Sequence, residues 1–439
     1  MLSELNKDRL IIEQWEEIKR LREEVNNLKK SQNKPKKTSK NSSVPPSKDF
    51  KSNKETDSPK RIFNHAKGGR ELCLTPSDIK DFKELKCSDC NKDLSETKYN
   101  LVSSYDKVFL PEVKIETVRV NVYECVCKSC NKIIKSEIPE KFSNRELLSA
   151  NLKAMIMYLH YENYISYERI VKYFKDIYGL EISEGLVSSV IKSSSLVLSE
   201  KSNEIKKEIQ NSDLVCSDET SARVKGKTYW QWVFQNSTYC YHTISPTRGS
   251  IVKKNLFGDN HPAKYVSDAF SSQKVGIKKW QVCLSHQIRD CKYLIELDNN
   301  EFALSMKELF QDSIKEKDSP ILIKKKKKKE FLSRLEKILK IQTKSNSEAN
   351  LRTRFTNFKD NLFMFLDYDD VPPTNNSSEQ ALRPSVIFRK VTNGFRSETG
   401  KDIFANFRTV VDTAKKQSRD VFDSICNIFT YNKNSPITI

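Results

Sequence analysis

The run Leu214-Val215-Cys216-Ser217-Asp218-Glu219-Thr220 is short, apolar where it begins and acidic where it ends. A buried strand that delivers a carboxylate to a site at its edge has this pattern. Alternation along a strand sends Asp218 and Thr220 to one face and Glu219 to the other, so Asp218 is the candidate and Glu219 is not its obvious partner. One carboxylate alone does little chemistry. Two further acids fit the same plan. Asp268 follows a second short apolar run, Ala263-Lys264-Tyr265-Val266-Ser267, and Glu379 opens a helix after Asn375-Asn376-Ser377-Ser378. Two strand-end aspartates and a distant helical glutamate make an oxygen cage that suits a hard divalent cation such as Mg²⁺.

A chain of 439 residues has room for two to four domains. Its formal charge of +19 points to a polyanionic partner, with a phosphate backbone as the default; the plainer explanation is a lysine-rich composition. No run of eighteen apolar residues and no signal-peptide core occur, which favours a soluble, non-exported protein over a membrane-spanning one. Of eleven cysteines, Cys87, Cys90, Cys125, Cys127 and Cys130 are clustered, whereas Cys216, Cys240, Cys283, Cys291 and Cys426 are scattered. Clustered pairs in a cytosolic chain favour metal over disulfide, and the isolated ones read as small buried apolar side chains.

Residues 1–30 place Ile11, Ile18 and Val25 at seven-residue spacing, with Leu21 and Leu28 three residues after two of them. This reads either as a short coiled coil or as an ordinary amphipathic helix. Residues 31–60 are Lys, Ser, Asn and Pro with almost nothing apolar, a basic disordered linker. In residues 61–142, Cys87-x₂-Cys90 and Cys127-x₂-Cys130 flank the strand-like alternation Val113, Ile115, Val118, Val120, Val122. Two such knuckles form a tetrahedral Cys₄ zinc site; Cys125 rivals Cys127, but only Cys127 has the two-residue spacing to Cys130. In residues 143–205 a helix from Ser166 to Tyr178 stops at Gly179, and Ser183 caps a second helix. That outline fits both a DNA-reading helix-turn-helix and a plain helical hairpin. Residues 206–400 are strand-rich up to Leu284 and helical and charged over 290–372, including the six lysines Lys324 to Lys329. Any single charge run is more often a solvated helix face than a phosphate grip. Residues 401–439 close the chain with a helix.

Several of these stretches together resemble one family, the transposases of the insertion sequence 66 type. The similar pieces are Asn41 to Asp49, both CxxC knuckles, Ser217-Asp218-Glu219-Thr220 with Arg223, Gly226 and Trp230-Gln-Trp232, and Val266-Ser-Asp268. Cys283-Leu-Ser-His286-Gln-Ile-Arg289, Asn375-Asn-Ser-Ser-Glu379-Gln-Ala-Leu-Arg-Pro384, Phe388-Arg-Lys390 and Gly394 to Gly400 follow in the family's order. The resemblance implies an α+β multidomain chain: an RNase H-like catalytic core with a helical insertion, preceded by a Cys₄ zinc module and a helix-turn-helix-like region. It implies catalytic Asp218, Asp268 and Glu379 holding two Mg²⁺ ions, and structural zinc on Cys87, Cys90, Cys127 and Cys130.

The activity implied is metal-dependent cleavage and strand transfer of insertion-sequence DNA ends, by a protein at the bacterial nucleoid. The partners implied are the duplex terminal repeats, target DNA, further copies of the chain and accessory proteins of the same element. Arg383, one helical turn beyond Glu379, and Arg389 and Lys390 are the candidate DNA contacts, while Pro384 requires the helix to kink or end. Two positions depart from the family pattern: Gln380 stands where Arg is usual, and the spacing around His286 is looser. The alternative is an inactivated or domesticated relative that only binds DNA.

Overall fold

The computed structural model describes residues 71–110, 113–139, 147–258, 261–342 and 345–430, with Glu17, Arg20, Leu21 and Phe142. The coiled-coil segment, apart from those three N-terminal residues, and the basic linker lie outside the described residues. Contacts divide the chain into two units, Lys51–Arg119 and a larger one of Met1–Phe50 with Val120–Ile439.

In the smaller unit the first CxxC forms a tight turn. The Cys87 N–H donates to the Lys92 carbonyl (2.9 Å), the Asn91 N–H donates back to the Cys87 carbonyl (3.0 Å), and Asn91 takes the left-handed conformation at φ 59°. The second CxxC, in the larger unit, repeats this turn: Cys127 N–H to Lys132 carbonyl, Asn131 N–H to Cys127 carbonyl, and Asn131 at φ 54°. It sits between β1 (Glu124–Val126) and β2 (Ile133–Lys135), which pair antiparallel. The strand-like alternation of Val113 to Val122 does not become a strand; these residues are irregular, and Val113, Val118, Val120 and Val122 are exposed. Alternation supplies a face but not a partner, and an unpaired strand has no ladder to hold it.

Helices α1 (Ala150–Tyr161), α2 (Tyr167–Tyr178), α3 (Glu184–Ser193) and α4 (Ser195–Gln210) lead into the main sheet. Their ends are set by local chemistry. The hydroxyls of Ser149, Ser166 and Ser183 accept from the N–H groups of Leu152, Arg169 and Leu186, and Gly179 ends α2 at φ 63°. Ile156, Met157, Ile170, Phe174, Val187 and Leu198 are fully or almost fully buried in a shared core.

The sheet has five strands in the order β5-β4-β3-β6-β7: β3 (Leu214–Val224), β4 (Lys227–Gln235), β5 (Cys240–Ser245), β6 (Lys264–Ser267) and β7 (Trp280–Val282). The first three are antiparallel neighbours, while β6 and β7 run parallel to β3. Strand β3 does not end at its acids but continues to Val224, and its turn into β4 is the two residues Lys225 and Gly226, both at positive φ. Such a turn matches the natural twist of a hairpin.

On one face, α5 (Ile251–Phe257) contributes Val252, Leu256 and Phe257 to a core with Trp232, Phe234 and Tyr265. The short α6 (Ser271–Lys274) follows β6. The insertion then builds α7 (Leu284–Asp298), α8 (Glu301–Lys315), α9 (Ile321–Leu339) and α10 (Asn346–Asn357) around Phe302, Met306, Phe310, Leu335 and Phe355. Each such side chain stabilises the fold by roughly 1.5–3 kcal/mol through burial.

Helix α11 (Asn376–Thr392) packs on β3 and β4, and α12 (Glu398–Lys416) packs on β5 and α4, with α13 (Val421–Thr430) after it. Helix α11 runs through Pro384 instead of ending there, so the Gln380 carbonyl loses its intrahelical donor. Beyond α11, Gly394 brings the chain back onto β3. A Cβ there would lie 2.5 Å from the Arg223 carbonyl oxygen, which explains why no larger residue fits.

Candidate active site

The sheet register positions the first two acids. Cys216 is level with Val266 in the parallel pair, and two residues further along each chain come Asp218 and Asp268, near enough that the Asp268 charge raises the Asp218 carboxyl. The hydrogen-bonded pairing of β3 with β6 stops at Cys216, whereas β3 stays paired with β4. Asp218 therefore sits where the two parallel strands part.

The third acid is set by Asn375, which is fully buried. Its amide donates to the Ser217 carbonyl (2.7 Å), next to Asp218, and its backbone N–H donates to the Cys283 sulfur (3.1 Å) at the start of α7. Its own carbonyl accepts from the N–H groups of Ser378 (3.1 Å) and Glu379 (3.3 Å). The Ser378 hydroxyl accepts from Gln235 on β4 (2.9 Å). One asparagine thus ties the first turn of α11 to the strand carrying Asp218 and to the helix carrying His286 and Arg289.

The three carboxylates act on one another. Burial, then Asp268, Glu219 and Glu379, push the Asp218 carboxyl well above the usual carboxylate range, against a bond from the Glu219 N–H. Glu379 accepts from Arg289 Nη2 at 3.0 Å, and His286 Nε2 lies 3.5 Å from the same oxygen. Burial and then Arg289 hold the His286 imidazole below its usual value, so it is neutral, and its Nδ1 is buried with no hydrogen-bond partner.

Glu219 faces the other side of the sheet, as alternation requires, yet it belongs to the same neighbourhood. Burial and Asp268 raise its carboxyl, while Arg248 (2.6 Å) and the Gln273 amide, both bonded to it, pull the other way. The Arg248 guanidinium lies 3.7 Å from the centre of the Phe270 ring and 4.6 Å from that of Trp230, which fixes it in place. Asn375 opens the stretch read in the sequence as leading to Glu379, whereas Arg248 and Gln273 carry no motif of their own, and Gln273 is marked only by lying five residues after Asp268.

Of the candidate DNA contacts, Arg383 and Lys390 are exposed on α11, and Arg389 donates to the Ser221 hydroxyl (2.5 Å). All three lie on the helix that carries Glu379. A buried carboxylate whose proton affinity its acidic neighbours raise, as at Asp218, is what a hard cation relieves, so the set fits Mg²⁺ by donor type. Among the described residues the group of three or more ligating side chains whose donor atoms lie within 4.8 Å of one another is buried Cys240, His242 and Asp412; the carboxylates of Asp218, Asp268 and Glu379 are not drawn together that closely. There His242 Nε2 is 3.0 Å from Asp412 and 3.3 Å from the Cys240 sulfur, but Arg408 already takes both Asp412 oxygens, and its charge opposes a cation.

A family model, Transposase IS66 family, matches residues 145–403, more than half of the chain. The chain belongs to this family. It is a transposase, and the matched segment holds Asp218, Asp268, Glu379, His286 and Arg289 but neither CxxC knuckle. No curated protein matches the transposase. None of its described helices is long and apolar enough to cross a membrane.

In each knuckle of the transposase the first cysteine holds its proton less tightly than a free thiol does. The N–H groups of Cys90 and Asp89 lower the affinity of Cys87 for its proton, and those of Ser129 and Cys130 do the same for Cys127. Backbone N–H groups aimed at sulfur suit a thiolate that binds metal.

Proposed function

We propose that this transposase cuts and joins DNA at Asp218, Asp268 and Glu379, with two divalent cations, in an RNase H-like core. The observation that carries the reading is that Asp268 and Glu379 both act on the buried Asp218 carboxyl, with the helix of Glu379 clamped to the strand of Asp218 by Asn375. The strand order, three antiparallel strands followed by two parallel ones, supports the core assignment.

Asp218 lies between the other two acids in its interactions and would share both cations, with Asp268 and Glu379 each holding one. Bound Mg²⁺ supplies Lewis acidity to the attacking and leaving oxygens of a phosphodiester. The chain's own part is to hold these oxygens in line and keep the site's charge balanced. In the first step water adds to the phosphate at the element's end and the 3′ oxygen leaves, taking up a proton. That 3′-hydroxyl then attacks a target phosphodiester in the same site, losing its proton as the target's 3′ oxygen departs. The first step trades a phosphate ester for a P–OH bond and the second trades one ester for another, so no protein nucleophile is needed. Neutral His286 and Arg289 border Glu379, while Arg383, Arg389 and Lys390 on α11 would meet DNA phosphates.

The reading keeps structural zinc on Cys87, Cys90, Cys127 and Cys130, supported by the matching turn and the thiolate-favouring N–H groups of each knuckle taken separately. Helices α2 and α3 would serve end recognition, and accessory proteins and further copies of the chain would complete the assembly. The test is Asp218→Asn: cleavage of an end-containing duplex should vanish while binding of that duplex persists. Cleavage that survives the substitution would sink the assignment. Cutting without joining of pre-cut ends would make the protein a nuclease instead.

A further inference from the structure

Three carboxylates of the candidate site share one cationic side chain. Asp218 accepts only the N–H of Glu219, and Asp268 accepts only the N–H of Phe270, among the bonds to their carboxylates in the described residues. Glu379 alone meets a charged group, Arg289, 3.0 Å from Oε1. Arg383, one turn beyond Glu379 on α11, is exposed, and three further arginines are held elsewhere. Arg248 is bound to Glu219 and boxed between two rings, Arg354 is bound to Asp290, and Arg389 is bound to Ser221. Arg289 has no aromatic box, and about a quarter of its side chain is exposed.

A guanidinium and a divalent cation against one carboxylate oxygen repel each other, so each loosens the other's hold. Helix α7 is anchored at its start, where the Leu284 N–H donates to the Pro373 carbonyl (3.0 Å) and the Ser285 hydroxyl to the Asn376 side chain (3.3 Å). The backbone under Arg289 is therefore tied to the turn that carries Glu379, and only the long side chain has room to change partners.

We propose that Arg289 is a built-in counter-ion of this site. It neutralises Glu379 while no cation is bound, yields that oxygen when one binds, and then turns its two-pronged donor edge to a phosphate of the DNA. Guanidinium suits this exchange because the same planar fork fits carboxylate and phosphate alike. The inference rests on reading Glu379 as a cation ligand. It makes a prediction with two opposite signs: removing Arg289 should tighten metal binding and slow the chemistry.

The experiment titrates the full chain with Mn²⁺ alone, without DNA, and reads bound ion by electron paramagnetic resonance. Arg289→Ala should bind Mn²⁺ about fivefold more tightly than the wild type, the worth of one partly exposed ion pair. At saturating metal its cleavage rate should fall about a hundredfold, as when one transition-state donor is lost. Arg289→Lys, which keeps a charge but not the fork, should lie between the two on both scales. Arg289→Gln carries the same expectations as Arg289→Ala should the alanine chain fail to fold. Mn²⁺ affinity that is unchanged or weaker in the Ala or Gln variant overturns the proposal, and so does normal cleavage at saturating metal. If the wild type itself shows no Mn²⁺ uptake that Asp218→Asn removes, the cation-ligand reading of the acids fails, and the absence of a wild-type signal tells that failure apart.

Discussion

Arg408, fully buried on α12, shows how far a single residue can reach in this chain. Its guanidinium holds Asp412 one turn along the helix and Glu162 at the end of α1. Asp412 in turn accepts from His242 on β5, whose Nδ1 faces Gln231 on β4 (3.3 Å). Against the pull of burial, Arg408 and His242 hold the Asp412 carboxyl below the usual range, and burial keeps His242 below its own. A buried pair adds little net stability, but breaking one side leaves an uncompensated charge. Arg408→Leu should therefore cost about 3–5 kcal/mol, seen as a lower midpoint in chemical denaturation. Adding Asp412→Leu should recover part of that loss, and a second loss of the same size would show the pair to be independent. None of this was legible in the sequence. His242 and Arg408 lie 166 positions apart and carry no motif, whereas Asp218, Asp268 and Glu379 each end or open a recognisable local pattern.

Among the elements, the short helix α6 is placed by what surrounds it more than by its own sequence. It begins three residues after Asp268 and is held from three directions: Gln273 donates to Glu219, the Tyr265 hydroxyl donates to Gln273 (3.0 Å), and Lys253 Nζ donates to the carbonyls of Gln273 (2.5 Å) and Val275 (2.8 Å). Lys253 is about 1% exposed, and burial pushes its ammonium down to about 8. Two carbonyls need only the two N–H bonds of a neutral amine. The folded chain thus holds this proton less tightly than the unfolded chain, so wild-type stability should rise with pH from about 8 towards the ordinary lysine value of 10.5. Lys253→Met lacks that rise. The wild type should gain about 2–3 kcal/mol on the variant across that window in paired denaturation curves. A flat difference would show Lys253 titrating as a free lysine. Elements with their own punctuation were readable, such as α2 between Ser166 and Gly179. Those that depend on distant partners were not: β3 runs on past Thr220 because β4 covers it, α11 passes Pro384 because β3 and β4 support it, and Val113 to Val122 stays irregular for want of a partner strand.

For the molecule as a whole, the excess of positive charge is the feature the sequence stated most loudly and located least well. The six-lysine run on α9 divides in two. Lys324 is buried and pairs with Asp369 (2.5 Å), Lys328 pairs with Asp367, and Lys327 pairs with Glu330 (2.9 Å), so half the run neutralises acids of the chain itself. Lys325, Lys326 and Lys329 are exposed and have no ion-pair partner among the described residues. They lie within about one turn of one another, a spacing that lines a single helical face. Composition alone could not separate the two sets, because inward and outward lysines look the same until the helix is packed. The division gives opposite outcomes for two triple variants. Converting Lys325, Lys326 and Lys329 to Gln should leave the unfolding midpoint in place and flatten the dependence of DNA affinity on salt, by up to about 2.7 in log–log slope at about 0.9 per phosphate contact. Converting Lys324, Lys327 and Lys328 to Gln should lower the midpoint, because the buried ammonium's bonds to Asp369 and to the Lys317 carbonyl are lost, and should leave the salt slope nearly unchanged. An unchanged slope in the first variant would make that face of α9 a solvated surface and move the charge that meets DNA to α11, where Arg383 and Lys390 stand exposed beside the acids' own helix turn.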